Sequence, residues 1–230
     1  MSEHQAGKVA AIAVRRVSKV YEGGLEALRE VSLEFAAGRV TALVGRSGCG
    51  KTTLLNLCGA MDFPTAGEVI VAGHVTSGLG EAELTALRRE KIGFVFQFFQ
   101  LLPALSVLEN VELPLLLAGA RGSEKTAMER LAWVGLEDRA AALPYQLSGG
   151  QMQRVGIARA LIHSPSILLA DEPTGNLDSA TGNVILDLLR RLTAEHNTAT
   201  IMATHSLEAA ALADAVVQMR DGKIQEVVYR

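Results

Sequence analysis

The chain has 230 residues, of which 49% are apolar and 20% charged, and its net charge is −3. This length suits one domain, 1–230, with a sizeable insertion, and the apolar share supplies a large core. The slight acidity leaves no basic footprint for nucleic acid, so no nucleic-acid partner is expected. Met1 to Lys8 is polar and carries no apolar signal core. Residues 11–17 read as a strand, and 31–35 as a second with period-two alternation. After the turn at Ala37-Gly38, residues 40–44 read as a buried strand. It runs into a glycine-rich loop, Gly45 to Gly50, and a helix from Lys51 to about Gly59. Residues 68–71 return as a short strand. Helical patterns follow over 81–90, 107–118 and 123–134, with a strand over 92–96. Residues 98–144 read as a helical insertion. Gly149 or Gly150 then opens a helix to His163, so the helical subdomain covers about 98–163. The longest uncharged run, 92–108, is broken by Gln97, Gln100, Pro103 and Ser106 and is no membrane span, so membrane work passes to a partner. Residues 167–170 form a buried strand, and 200–203 another. Between them Val184, Ile185, Leu188, Leu189 and Leu192 mark one face of a helix. Asp221-Gly222 marks a closing hairpin. Strands alternating with helices predict an α/β fold with a mostly parallel sheet covered on both faces.

Gly45-Arg46-Ser47-Gly48-Cys49-Gly50-Lys51-Thr52 fits a phosphate-loop pattern, with a buried strand before it and a helix after. Three glycines let successive N–H groups point inward as an anion nest, and the helix adds its N-terminal dipole. Lys51 reaches the β- and γ-phosphates, and Thr52 offers a hydroxyl to Mg²⁺. The apolar strand at 167–170 ends in Asp171 and Glu172. Successive strand side chains point opposite ways, so one carboxylate serves hydrated Mg²⁺ and the other faces a water as general base. A second glycine motif, Leu147-Ser148-Gly149-Gly150-Gln151, opens a long helix, and Ser148 can cap it. The chain therefore carries two anion-binding helix starts.

Taken with the phosphate loop, Ser148-Gly149-Gly150-Gln151 and its continuation Gln153-Arg154-Val155-Gly156-Ile157-Ala158-Arg159 resemble the signature of ATP-binding cassette ATPases. The resemblance runs from about Ile12 to Ile224. It implies a phosphate-loop cassette fold with an N-terminal antiparallel β subdomain and a helical insertion. It implies nucleotide contacts along the loop from Gly45 through Cys49 to Thr53, with Tyr21 stacking on adenine. It implies that Gln97 resembles the glutamine that reaches Mg²⁺ and the reacting water. Asp171 and Glu172 are similar to the family's acidic pair, Asp171 for metal and Glu172 for catalysis. Asn176-Leu177-Asp178 resembles the adjoining loop, and His205 the switch histidine. The resemblance further implies a homodimer in which two copies face head-to-tail around two ATP molecules. Each signature then meets the nucleotide of the other copy, and Asp178 is implied among the nucleotide contacts.

Asp171-Glu172-Pro173-Thr174-Gly175-Asn176-Leu177-Asp178 and residues 93–103 are similar to the branch containing lipoprotein-releasing, macrolide-efflux and cell-division ATPases. That branch implies a peripheral subunit on the cytoplasmic face of the inner membrane, driving a permease. The apolar residues Phe98, Phe99, Leu101, Leu102 and Leu105 after Gln97 are the expected permease contact. An importer ATPase, a repair or translation cassette, and a force-transmitting activator of cell-wall enzymes are the rival readings. With only a short stretch after Ile224, the regulatory domain of some importers is not expected. Arg46, Met152 and Ser206 depart from the family pattern without touching a catalytic group. Cys49 and Cys58 fit neither a metal spacing nor a disulfide framework. Cys49, beside Lys51, is expected to be reachable by alkylating agents in the empty state, and Cys58 to be a core residue. His163 and His196 are expected at the surface.

Overall fold

The computed structural model describes residues 10–230; the polar segment Met1–Lys8 lies outside the described residues. Two sheets organise the chain. Strands β1 (Ile12–Val20), β2 (Glu26–Phe35), β4 (Ala66–Val71) and β5 (His74–Val75) form an antiparallel sheet in the order β2-β1-β4-β5. The larger sheet uses β3 (Val40–Val44), β6 (Ile92–Phe96), β7 (Ile167–Asp171), β8 (Ala199–Thr204), β9 (Ala215–Arg220) and β10 (Lys223–Tyr229). Its order is β10-β9-β3-β8-β7-β6, parallel throughout except for the β9–β10 hairpin.

Alternation along the buried strands divides the core. Ile167 and Leu169 of β7 join Leu43, Ile201 and the antiparallel sheet, together with α1 (Lys51–Cys58) and α2 (Glu81–Lys91). Leu168 and Ala170 face the other way, toward α5 (Gly149–Ala160) and α6 (Ser179–His196). Helices α3 (Val107–Leu117) and α4 (Ser123–Trp133) pack on α5 and extend this second core through Val111, Leu131 and Val155. A short helix, α7 (Leu207–Leu212), follows β8. Both faces of the sheet are covered, as a parallel sheet requires.

Four details differ from expectation. Helix α5 ends at Ala160, because the chain turns there and Leu161 and Ile162 tuck into the core. His163 is half-buried with its Nε2 3.2 Å from the Ile92 carbonyl, and burial pushes its pKa down. On α6 the buried face runs through Ile185, Leu186, Leu188, Leu189 and Leu192, whereas Val184 is 58% exposed. The apolar stripe is therefore rotated by about one residue. Cys49 is buried, as described below. His196 is exposed, and its ring stacks on Trp133 at 4.0 Å. The Arg130 guanidinium lies 3.8 Å from the Trp133 ring, and Arg191 donates to the Trp133 carbonyl at 2.9 Å, joining the end of α4 to α6.

Candidate active site

The parallel order brings distant motifs together. Strands β3, β8, β7 and β6 lie side by side, so their C-terminal ends share one edge. In register, Val44 faces Thr204, Ala203 faces Asp171, and Asp171 faces Phe96. The next residues along these strands are the glycine loop, His205, Glu172 and Gln97. Ligands of open α/β sheets bind at this edge.

Gly50 caps α1 with φ +105, and a Cβ there would lie 2.6 Å from the Ala27 carbonyl oxygen. Gly45 is equally constrained, since a Cβ would meet the Met219 carbonyl at 2.3 Å. Side chains at these two positions would force the loop open. Lys51 is 8% exposed and folds back over the loop, donating to the Gly45 carbonyl at 2.8 Å and that of Arg46 at 3.3 Å. Its ammonium is thus held against the loop by the loop's own carbonyls. Cys49 is 6% exposed and packs in the core beside Leu28, Leu43 and Met219. Its Sγ would lie 2.7 Å from a Cβ at Gly45. The thiol points under the loop, which overturns the expectation that it is reachable. Cys58 is fully buried as expected, and desolvation pushes its pKa up to about 12.

Thr52 Oγ1 donates to Asp171, 3.2 Å from Oδ2. Burial raises the Asp171 pKa, the Thr52 bond opposes this, the Glu172 charge adds to it, and the Lys51 charge opposes it. The Glu172 backbone has φ +49, a left-handed conformation uncommon outside glycine. Its N–H donates to the Ala203 carbonyl at 2.9 Å and its carbonyl accepts from Gly175 at 3.0 Å. These bonds turn the carboxylate so that Oε2 lies 2.9 Å from His205 Nδ1. Gln97 is tied to Asn176 twice: its Nε2 donates to Asn176 Oδ1 at 3.4 Å, and Asn176 Nδ2 donates to the Gln97 carbonyl at 2.9 Å.

An open cleft of about 610 Å³ gathers Tyr21, Ser47, Gly48, Gly50, Lys51, Thr52, Thr53, Gln97, Asp171, Glu172 and His205. Gly45, Arg46 and Cys49 are not on its wall. Neither are Ser148, Gly149, Gly150, Gln151 or Asp178. Ser148 caps α5 in a reciprocal box, accepting from Gln151 N at 3.3 Å while Gln151 Oε1 accepts from Ser148 N at 2.9 Å. Asp178 caps α6 and accepts from Thr181 N at 3.0 Å. With Glu172 and His205 it borders a second cavity of about 190 Å³. Ser206 caps α7, accepting from Ala209 N at 3.1 Å, a task that the expected acid would do equally well.

Three contributors escaped sequence reasoning. Leu25, Glu26 and Ala27 complete the cleft wall from the β1–β2 turn. Asn110 is fully buried and bonds Leu102 N and the carbonyls of Leu102, Leu105 and Ser106, shaping the loop after Gln97. Gln153, also fully buried, donates to the Pro173 carbonyl at 2.7 Å, one residue beyond Glu172. The first has no local pattern. Gln153 lies in the signature's continuation, which was the available signal.

A glycine loop between a buried strand and a helix, with an acid two strands away on the same sheet edge, defines a phosphate-loop nucleoside triphosphatase. The family model described as ABC transporter matches residues 28–175. The chain is 48% identical to the lipoprotein-releasing system ATP-binding protein LolD of Paramagnetospirillum magneticum over 217 residues, covering 93% of this chain and 96% of that one. It is 46% identical to the macrolide export ATP-binding/permease protein MacB of Rhodopirellula baltica, covering 94% of this chain but 32% of that longer one. Among solved structures it resembles the dimeric post-hydrolysis state of the cassette MJ0796 bound to ADP and Pi, with a TM-score of 0.85 and 42% identity over 95% of this chain and 98% of that one. The chain belongs to the ABC transporter family and is an ATPase of its cassette class. Among the described residues, no helix is long and apolar enough to cross a membrane.

Proposed function

We propose that the chain is the ATP-hydrolysing subunit of a lipoprotein-release or macrolide-efflux type of complex, driving a permease from the cytoplasmic face of the membrane. The observation that carries this reading is the Glu172 carboxylate, fixed by His205 at 2.9 Å inside the cleft walled by the phosphate loop. Loop N–H groups and Lys51 hold the phosphates, and Tyr21 supports the base. Thr52, Asp171 and Gln97 would hold Mg²⁺. Their hard oxygen donors fit that ion, which takes its remaining ligands from phosphate and water. When bound, Mg²⁺ neutralises charge on the β- and γ-phosphate oxygens. Glu172 accepts the proton of the attacking water, and His205 keeps the carboxylate aimed.

Ser148–Gln151 and Asp178 stand off the cleft of their own chain. In this reading they serve the nucleotide of a second copy, facing head-to-tail. Residues 98–163 form the helical subdomain that carries the signature. Phe98 and Leu102, 69% and 45% exposed, receive the permease. Native co-purification from membranes tests that partner, and recovery without a membrane-spanning protein overturns it. For the chemistry, Glu172→Gln is expected to cut hydrolysis by about a hundredfold or more while ATP binding persists. The variant should elute as an ATP-bound dimer on gel filtration. Hydrolysis at the parental rate would remove Glu172 from its role.

A further inference from the structure

Tyr21 lines the cleft, whereas Lys19 and Asp62 do not. Behind it, the Tyr21 hydroxyl donates to Asp62 Oδ2 at 3.2 Å. The other carboxylate oxygen of Asp62 takes a 2.6 Å ion pair from Lys19 Nζ. That ammonium also donates to the Phe63 carbonyl at 2.8 Å and lies 4.9 Å from the centroid of the Tyr21 ring. The Lys19 and Asp62 side chains are only 13% and 28% exposed, so water and salt screen the pair weakly. Thr65 Oγ1 pins the backbone beside it, accepting from Val20 N at 3.0 Å. Burial raises the Asp62 carboxyl, but bonds from Lys19, Phe63 N–H and Tyr21, with the Lys19 charge, bring it below the usual range.

A plain surface ion pair would account for the Lys19–Asp62 contact. It would not account for the phenol tied to the same carboxylate or for the ammonium against the ring. Both act on the one aromatic side chain that enters the cleft from β1. We propose that Lys19 and Asp62 are positioning residues that lock the Tyr21 ring as a platform for the nucleobase. The inference rests on the reading of Tyr21 as the base-stacking residue. The single bond from the Tyr21 hydroxyl to a carboxylate that Lys19 itself anchors restrains the Tyr21 side chain before ligand arrives, which lowers the entropy lost on binding. The ammonium draws on the ring's electron-rich face from behind and leaves the cleft side for stacking.

The test measures KM and kcat for MgATP, and inhibition by inorganic tripolyphosphate, which has no base. Asp62→Asn should raise KM about fivefold, the value of one ordinary hydrogen bond. Its kcat should stay within about twofold and its tripolyphosphate inhibition unchanged. Asp62→Glu should restore part of the loss, and Tyr21→Phe should show part of it. In a Tyr21→Ala background, Asp62→Asn should add nothing. An unchanged KM in Asp62→Asn, or equal losses of kcat and of tripolyphosphate affinity, overturns the proposal. If Tyr21→Ala raises KM while Asp62→Asn does not, only the positioning role fails. If Tyr21→Ala leaves KM unchanged, the base-stacking reading fails and the proposal with it.

Discussion

The chain holds two glycine-rich helix starts, and they are built in opposite ways. Gly45–Gly50 is sunk between β3 and α1, with positive φ at its glycines and Lys51 bonded to the loop's own carbonyls. Ser148–Gln151 is an ordinary capping box with an exposed serine. The first has its acid, hydroxyl and histidine around it within one chain. The second spends its serine and glutamine on capping each other. Its glycines instead pack against the loop after Glu172 and the start of α6: Gly149 beside Leu177, and Gly150 where a Cβ would lie 2.4 Å from the Thr181 methyl. A nest that holds its ligand alone is bent and buried. A helix start that waits for a ligand held elsewhere stays regular and open.

The comparison breaks most sharply if both loops matter to a single chain's nucleotide. Lys51→Met should lower both hydrolysis and ATP binding, hydrolysis by about a hundredfold or more, because an electrostatic contact on the phosphates is lost. Ser148→Arg should stop hydrolysis comparably, yet leave ATP binding by the isolated subunit within about twofold of the parent. Equilibrium binding with a labelled nucleotide, at concentrations where the chain is monomeric, separates the two. Weakened monomer binding in Ser148→Arg would place both loops on one site.

A smaller effect is expected at the joint between them. Gln153 links the signature helix to Pro173, and its Oε1 is buried without a partner. Gln153→Leu keeps the volume but orphans the Pro173 carbonyl. Turnover should fall about tenfold with KM for ATP unchanged, the pattern of a misplaced general base rather than lost binding. A rise in KM with kcat intact would assign Gln153 to binding instead. The smallest effect concerns Cys49. With its thiol under the loop, the folded chain should keep its ATPase through N-ethylmaleimide treatment, and intact mass should show labelling only after denaturation. Rapid modification of Cys49 in the folded state would mean that the phosphate loop opens on its own.

What the sequence made legible follows the range of the forces involved. The phosphate loop, the acidic strand end and the capped signature are local patterns, each set by neighbours within a turn. The strand–helix rhythm likewise foretold a parallel sheet. The tilt of Cys49 depends on Met219, far along the chain, and the face of α6 depends on which residues meet the sheet. Val184 and Leu186 are equally apolar, and only packing separates them. Asp62 and Lys19 lie 43 positions apart, and nothing local marks them as partners. His163 looked like a surface residue because the helix was expected to run through it, whereas the chain turns inward three residues earlier.

Trp133 is the only tryptophan in the chain, and it sits where α4 meets the end of α6, between a guanidinium and an imidazole. A guanidinium and an imidazole stacked on an indole dim and shift its emission. The protein therefore carries a built-in optical gauge at the junction of its helical part and its sheet. Any swing of α4 away from α6 should be visible in intrinsic fluorescence, in real time and without an attached dye.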